Sequence, residues 1–445
     1  MSTIFSTITG VGQGSVLVIR ISGSKTIEIL QKLGFKGEII HQKASLQKII
    51  DPKTSEIIDE SLVTFFKSPN SFTGEDAAEI SIHASHFILK KIFEILSEFE
   101  SVRIAEAGEF SKRAFLNGKI DLVQAEAIPD LIASETASQH KQALRQLAGK
   151  LGEIYENWRV RLIEISAMLE AYIDFPDEDL PQNIIDRVEE NVKKLLSEIQ
   201  NHLNDQKIGQ KIKDGLSLAI IGAPNVGKSS LINFLAKSEV AIVSEFAGTT
   251  RDIIEINLSI AGVPVKIADT AGLRETSDQI EKEGIRRALK KAKDADLKIF
   301  VLDAMNPLIR KEDEELLDEN TIVVLNKIDL DDGFHVDDSH FVTGLMNHIK
   351  ISLINKTNTE NLIKKLEEKV LQIVPNNSSP LITQERYRVA LKNSVANLEN
   401  FSLNKNIELA AEDLRLTARE IGKITGKIDI ENILDVIFSR FCIGK

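Results

Sequence analysis

From Gly222 to Ser230 the sequence reads Gly-Ala-Pro-Asn-Val-Gly-Lys-Ser-Ser, residue types and spacing that form a cradle for phosphate. Glycines at 222 and 227 let the backbone turn sharply, so that successive N–H groups point inward at an anion. Lys228 is spaced to reach β- and γ-phosphates, and the Ser229 hydroxyl to ligate magnesium. Asn225, Val226, Gly227, Lys228, Ser229 and Ser230 are therefore expected to touch nucleotide.

Three downstream stretches extend that chemistry. Asp269-Thr270-Ala271-Gly272 closes an apolar run; Asp269 is placed to hold magnesium through water, and the Gly272 amide to sense the γ-phosphate at close range. Between the phosphate loop and Asp269 lies Gly248-Thr249-Thr250-Arg251-Asp252, where Thr250 offers magnesium a second hydroxyl. Asn326-Lys327-Ile328-Asp329 follows another apolar run. A carboxylate at Asp329 accepts from both N1–H and the exocyclic amine of guanine, a donor pair that adenine lacks. Lys327 is expected to lay its stem along the base and tie this loop to the phosphate loop. Each motif alone is short, but all three in this order, each after a strand, specify a guanine nucleotide.

Leu273 stands where many GTP hydrolases use glutamine to orient water, so hydrolysis needs another arrangement. The Asn225 side chain offers an oxygen that, with nearby carbonyls, suits a monovalent cation beside the β- and γ-phosphates. Two readings of Glu281 stand on the residues alone: it orients water through a second water, or it balances a helix dipole.

These motifs need a scaffold. Apolar runs at 216–221, 254–260, 263–268, 297–302 and 321–325 alternate with helical patterns at 280–293 and 359–373. That alternation predicts a doubly wound α/β domain over 213–374. Residues 1–117 read as a mixed α/β domain with strands near 15–21, 61–66 and 78–83. Helical patterns cover 122–151, 154–173 and 184–203, and again 384–401, 407–424 and 430–441, with 209–215 as a linker. The two helical halves, 118–212 and 375–445, have no strands to pack on. They are expected to build one all-α domain into which the nucleotide domain is inserted.

Length and composition set the outer bounds. With 445 residues, several domains are required. No apolar run is long enough to span a membrane, and Met1-Ser2-Thr3-Ile4-Phe5-Ser6, with no basic flank before an apolar core, is not expected to be a secretory signal. The one cysteine, Cys442, excludes an internal disulfide and fits a reducing, cytoplasmic compartment. A net charge of −12 argues against a surface coated with basic residues; no DNA partner is expected, and any RNA must meet a local patch or a second subunit. His83 and His86 are three apart, a weak metal-pair signal with no cysteine beside it. Trp158 reads as core packing.

Across its whole length the sequence resembles the bacterial tRNA modification GTPases of the MnmE (TrmE) family. The resemblance is carried by the motifs above together with Gly74-Glu75-Asp76, Phe115-Leu116-Asn117-Gly118-Lys119-Ile120-Asp121-Leu122, Ile173-Asp174-Phe175-Pro176 and the terminal Phe441-Cys442-Ile443-Gly444-Lys445. It implies α/β + α architecture: an N-terminal folate-binding α/β domain, a discontinuous all-α domain and an inserted Ras-like P-loop GTPase domain. It further implies a potassium-activated GTPase that works as a homodimer. With the flavoprotein MnmG, in a heterotetramer, the family adds aminomethyl or carboxymethylaminomethyl groups to carbon five of the wobble uridine of certain tRNAs.

By the same resemblance Ser244, Glu245, Phe246, Ala247, Gly248, Thr249 and Thr250 line the GTP site. Potassium falls to Asn225, Ser244, Phe246 and Thr249, and magnesium to Ser229 and Thr250. Glu281, with Lys228 and Asn225, is catalytic. Arg20, Glu79, Lys119 and Lys445 bind a one-carbon tetrahydrofolate derivative. The sequence departs from the family pattern at His83-Ala84-Ser85, where two glycines usually follow the histidine, and at Ser352-Leu353, where Ser-Ala is usual. Two rival readings are a folate-dependent transferase whose GTPase is only regulatory, and a ribosome-binding GTPase switch.

Overall fold

The computed structural model describes residues 2–10, 14–174, 184–238, 240–241, 256–268, 292–307, 309, 314–330, 348–375, 380–404, 407–428, 434, 437–439, 441–442 and 444. The chain divides into two units, one of residues 1–129, 146–196 and 390–445, the other of 130–145 and 197–389. Sheets and helices combine as expected for an α/β plus α protein.

In the first unit a six-stranded sheet is built from β1 (Thr3–Thr7), β2 (Val16–Ser22), β3 (Ala44–Ile50), β4 (Ile57–Phe66), β5 (Ala77–His83) and β6 (Val102–Ile104), in the order β3-β4-β5-β2-β1-β6. All neighbours are antiparallel except β1 and β6. The period-2 alternation of β2 sends Leu17, Ile19 and Ile21 into the core, where Ile29, Leu30, Ile92 and Leu96 of the helices Thr26–Lys32 and His86–Ser97 meet them. Its other face carries Arg20, opposite Glu79 of β5.

The same unit holds long helices. Lys150–Asp174 buries Leu151, Tyr155, Trp158, Leu162, Ile165 and Leu169, a helical stripe, against Ile407–Thr425. Trp158 is buried beside Tyr155, in agreement with its reading as core. Phe438 and Phe441 pack with Leu122 and Phe115, and Gly444 lies against the Thr7 carbonyl at the end of β1.

Where one helix was expected over 122–151, the structure has two, Leu122–Ile132 and Ala137–Leu147, before the next begins at Lys150. Local polar chemistry explains the breaks. Ser134 Oγ donates to Leu131 O, Thr136 and Gln139 cap the second helix, and Gly149 at φ +83° ends it. The expected linker at 209–215 is instead a helix, Ile208–Asp214, ended by Gly215 at φ +89°. Four strands went unread: β1, which buries polar Thr3 and Ser6 beside Ile4 and Phe5; the edge strand β3, with Ala44, Leu46 and Lys48 exposed on one face; and two of only three residues, β6 and His348–Lys350.

The second unit contains β7 (Leu216–Ile221), β8 (Ile256–Ile260), β9 (Val263–Ala268), β10 (Leu297–Asp303), β11 (Thr321–Asn326) and β12 (His348–Lys350). The order is β12-β11-β10-β7-β9-β8, parallel except for the β8–β9 hairpin. Leu218, Ile220, Val265, Ile299, Val301 and Val324 are fully buried, as suits strands covered on both faces. This is the doubly wound sheet that the alternation of apolar runs predicts. Its strand order reverses at β7, and ligands bind such sheets outside the carboxyl ends of the strands at that reversal. The expected helix at 280–293 lies outside the described residues, apart from its last two positions.

Candidate nucleotide-binding site

The phosphate loop leaves β7 at Gly222 and enters the helix Lys228–Lys237 after Gly227. Gly222 has φ +145°, Asn225 +63° and Gly227 +105°. A side chain at 222 would run into the Val301 carbonyl of β10, and one at 227 into the Asn326 amide, so both positions exclude anything larger than hydrogen. Val226 is buried in the sheet core and pins the loop, while Asn225 and Ser229 are exposed. Lys228 Nζ donates to the carbonyls of Gly222 at 2.9 Å and Ala223 at 2.6 Å, which lays its ammonium along the loop. The helix start adds the positive end of its dipole.

The edge expected to read the base is built on the neighbouring strand ends. In the β10–β11 register Asp303 lies opposite Asn326. Asn326 is buried; its Nδ2 donates to Val226 O at 2.9 Å and its Oδ1 accepts from the Leu353 amide at 3.3 Å. One side chain thus joins the phosphate loop, the Asn-Lys-Ile-Asp loop and the Ser352-Leu353 loop. Lys327 has φ +71°, and its Nζ pairs with Asp303 at 2.6 Å. The tie to the phosphate loop expected of Lys327 is made by Asn326. Asp329, in the turn Ile328–Leu330, is exposed and open to a ligand.

The calls on Ser244, Glu245, Phe246, Ala247, Gly248, Thr249, Thr250, Asp269, Thr270, Ala271, Gly272, Glu281 and Lys445 lie outside the described residues. For the implied cations, the residues that are described fit. Ser229 presents an exposed hydroxyl in the first helical turn, and Asn225 an exposed amide on a loop whose backbone turns around it. Among the described residues no three His, Cys, Asp or Glu side chains cluster to hold a metal. His83 does not pair with His86 around an ion: its Nδ1 sits 2.7 Å from Asp59 Oδ1, and its amide donates to Asp59 Oδ2. Burial pushes Asp59 up, but the His83 amide and imidazole and the Ser61 hydroxyl outweigh it and hold the carboxyl below its ordinary value.

In the N-terminal sheet Arg20 and Glu79 are brought together and pair with each other, Nη2 to Oε1 at 2.7 Å and Nε to the same oxygen at 3.0 Å. Phe72 and Phe110 flank the guanidinium, with ring centroids 5.1 and 5.6 Å away. Lys119 donates to Pro69 O at 2.9 Å and packs beside Gly74, in the turn that carries Phe72. Behind this cluster Arg113, buried, bridges Glu75 and Glu109, and Arg103 forks onto Glu109. Burial raises Glu109, but Arg103, the Glu106 amide and Arg113 prevail and hold it below the usual carboxylate range.

Sequence reasoning missed Asp303, Phe72 and Arg113. Asp303 carried a signal, an acid closing an apolar strand at the same end as Asn326. Phe72 and Arg113 carried none, since their partners are set by tertiary contacts.

Comparison with known proteins gives the family. Residues 3–119 match the family described as GTP-binding protein TrmE N-terminus, and residues 122–442 match the MnmE helical domain. The tRNA modification GTPase MnmE of Rickettsia akari (strain Hartford) is 47% identical over 451 aligned residues, which cover 100% of both chains. That of Rickettsia typhi (strain ATCC VR-144 / Wilmington) is 47% identical over 448, again with full coverage of both. Among solved structures, a point variant of Aquifex aeolicus Era bound to GDP·AlF4− aligns at 27% identity and a TM-score of 0.27 over 41% of this chain and 66% of that one. Identity of nearly half the residues from end to end, with both domain families matched in order, leaves one conclusion: the chain belongs to the MnmE family of tRNA modification GTPases.

Proposed function

We propose that the chain is a magnesium-dependent, potassium-activated GTPase that acts as a homodimer in the cytoplasm. With a flavoprotein of the MnmG kind, in a heterotetramer, it adds an aminomethyl or carboxymethylaminomethyl group to carbon five of the wobble uridine of certain tRNAs. In this reading segment 213–374 is the GTPase domain, 118–212 and 375–445 form the helical domain, and 1–117 binds a one-carbon tetrahydrofolate. The observation that carries the nucleotide part is Asn326, whose amide joins Val226 and Leu353 and so makes one site of the phosphate and base loops.

The loop amides from Asn225 to Ser230 and the helix start cradle the β-phosphate, and the Lys228 ammonium lies on the same loop to meet the β- and γ-oxygens. Asp329 accepts from the guanine edge. Ser229 and Thr250 would hold magnesium, whose charge would offset that of the phosphates. Leu273 cannot orient water; Glu281 would take that task, and Asn225, Ser244, Phe246 and Thr249 would hold potassium, whose charge would assist hydrolysis. The Arg20–Glu79 pair, Lys119 and Lys445 receive the folate: a carboxylate for the pterin's amide-and-amine edge, cations for the tail.

The test is GTP turnover in potassium and in sodium, for wild type and Asn225→Ala. Faster turnover in potassium that Asn225→Ala abolishes supports the reading; equal turnover in both salts overturns the cation mechanism. Loss of the modified wobble uridine on gene deletion tests the tRNA role.

A further inference from the structure

We propose that Asp303 is a positioning residue for guanine nucleotide, acting through Lys327. The inference rests on the nucleotide reading above, in which the Lys327 stem lies along the base. Asp303 ends β10 and is fixed twice: its Oδ1 accepts the Met305 amide at 3.0 Å, and its Oδ2 accepts Lys327 Nζ at 2.6 Å. Beside it the Ala304 amide donates to Asn326 O at 2.8 Å and stitches the ends of β10 and β11 together. Lys327 follows directly, in the left-handed conformation at φ +71°. Its side chain is thereby tethered at both ends, by a constrained backbone below and an anchored carboxylate above.

An ion pair at a partly exposed position contributes little to folding. Its consequence lies in the lysine's freedom. An untethered lysine stem has four rotatable bonds, and ordering them against a ligand opposes binding. Asp303 removes that ordering step before the base arrives, so the pair acts as preorganisation. The base itself is read elsewhere, at Asp329, so Asp303 sets how long the nucleotide stays and leaves the choice of base alone.

The experiment uses the full-length, nucleotide-free chain and follows dissociation of a fluorescent GDP analogue and of its inosine counterpart. Asp303→Asn keeps the acceptor for Met305 and removes the charge. It is expected to speed dissociation of both analogues about tenfold, by the same factor, with the melting temperature of the nucleotide-free chain unchanged. Added to Lys327→Met, it is expected to cause no further change. Asp303→Ser, which also keeps an acceptor for Met305, serves if the asparagine variant is disturbed. Wild-type dissociation rates in the Asp303 variants, or full additivity with Lys327→Met, overturn the proposal. Failure of the wild type to bind the GDP analogue overturns the nucleotide reading instead.

Discussion

The Asn326 side-chain amide donates to the carbonyl of Val226, 2.9 Å away and a hundred positions earlier in the chain. The same residue fills the space left by the missing side chain of Gly227. Loop and base-reading edge are therefore not independent. Asn326→Ala leaves the Val226 carbonyl and Leu353 amide unpaired, at a cost of roughly 1–3 kcal/mol for each that stays dry. Gly227→Ala forces a side chain at φ +105° onto the Asn326 amide. Both variants are expected to weaken GDP binding at least tenfold by equilibrium titration, although neither residue type carries charge.

A second prediction concerns acid. Glu109 is held below its ordinary carboxylate value by Arg103, the Glu106 amide and Arg113 acting against burial. A depressed folded value means that its contribution is fully present above the unfolded value, ~4.3, and is lost as pH falls from there through the folded value. Glu109→Gln leaves the buried Arg113 short of a partner and is expected to destabilise the first unit by about 2 kcal/mol at pH 7. The gap between variant and wild type is expected to stay level from about pH 7 to 5 and to close below about pH 4. Trp158, the only tryptophan, is buried in that unit, so urea unfolding followed by its fluorescence reads the difference directly.

The nucleotide site was legible because its chemistry sits in contiguous stretches. Gly222, Gly227, Lys228 and Asp329 each stand in the loop where spacing along the chain places them. Asp303 is different: its role comes from a parallel register that sets it against Asn326, and parallel registers are not written in either strand alone. The N-terminal cluster was less legible still. Arg20 and Glu79 meet only because β2 and β5 pair antiparallel in one register, and Phe72 reaches them from a turn whose path depends on Gly74 at φ +79°. Helix boundaries failed where a side chain of Ser134 or Thr136 competed for the backbone, an effect that apolar periodicity does not see.

The Arg20–Glu79 pair yields a third prediction. A cross-strand ion pair that served folding alone would be nearly dispensable. Under the folate reading proposed above, the two residues are halves of one receptor and should be lost together in effect. Arg20→Ala and Glu79→Ala are each expected to weaken binding of a tetrahydrofolate one-carbon derivative at least tenfold by calorimetry, and the double variant little more than either. Unchanged affinity in both single variants would remove the folate assignment from this face of the sheet.

Base choice is the last prediction and the most specific. Asp329 is exposed at the carboxyl end of β11, in a turn held by the Leu330 amide on Lys327 O and the Ile328 amide on Ile351 O, so replacing its carboxylate leaves the fold intact. Guanine offers two donors, N1–H and the exocyclic amine, to a carboxylate that only accepts. Xanthine carries a carbonyl where that amine was, which a carboxylate repels. An amide at 329 both donates and accepts, and so matches N1–H and the carbonyl together. Asp329→Asn is therefore expected to weaken GDP at least a hundredfold and to bind XDP more tightly than wild type does, with a discrimination that reverses sign. A loss of GDP binding without any gain for XDP would mean that Asp329 supports the loop and does not read the base.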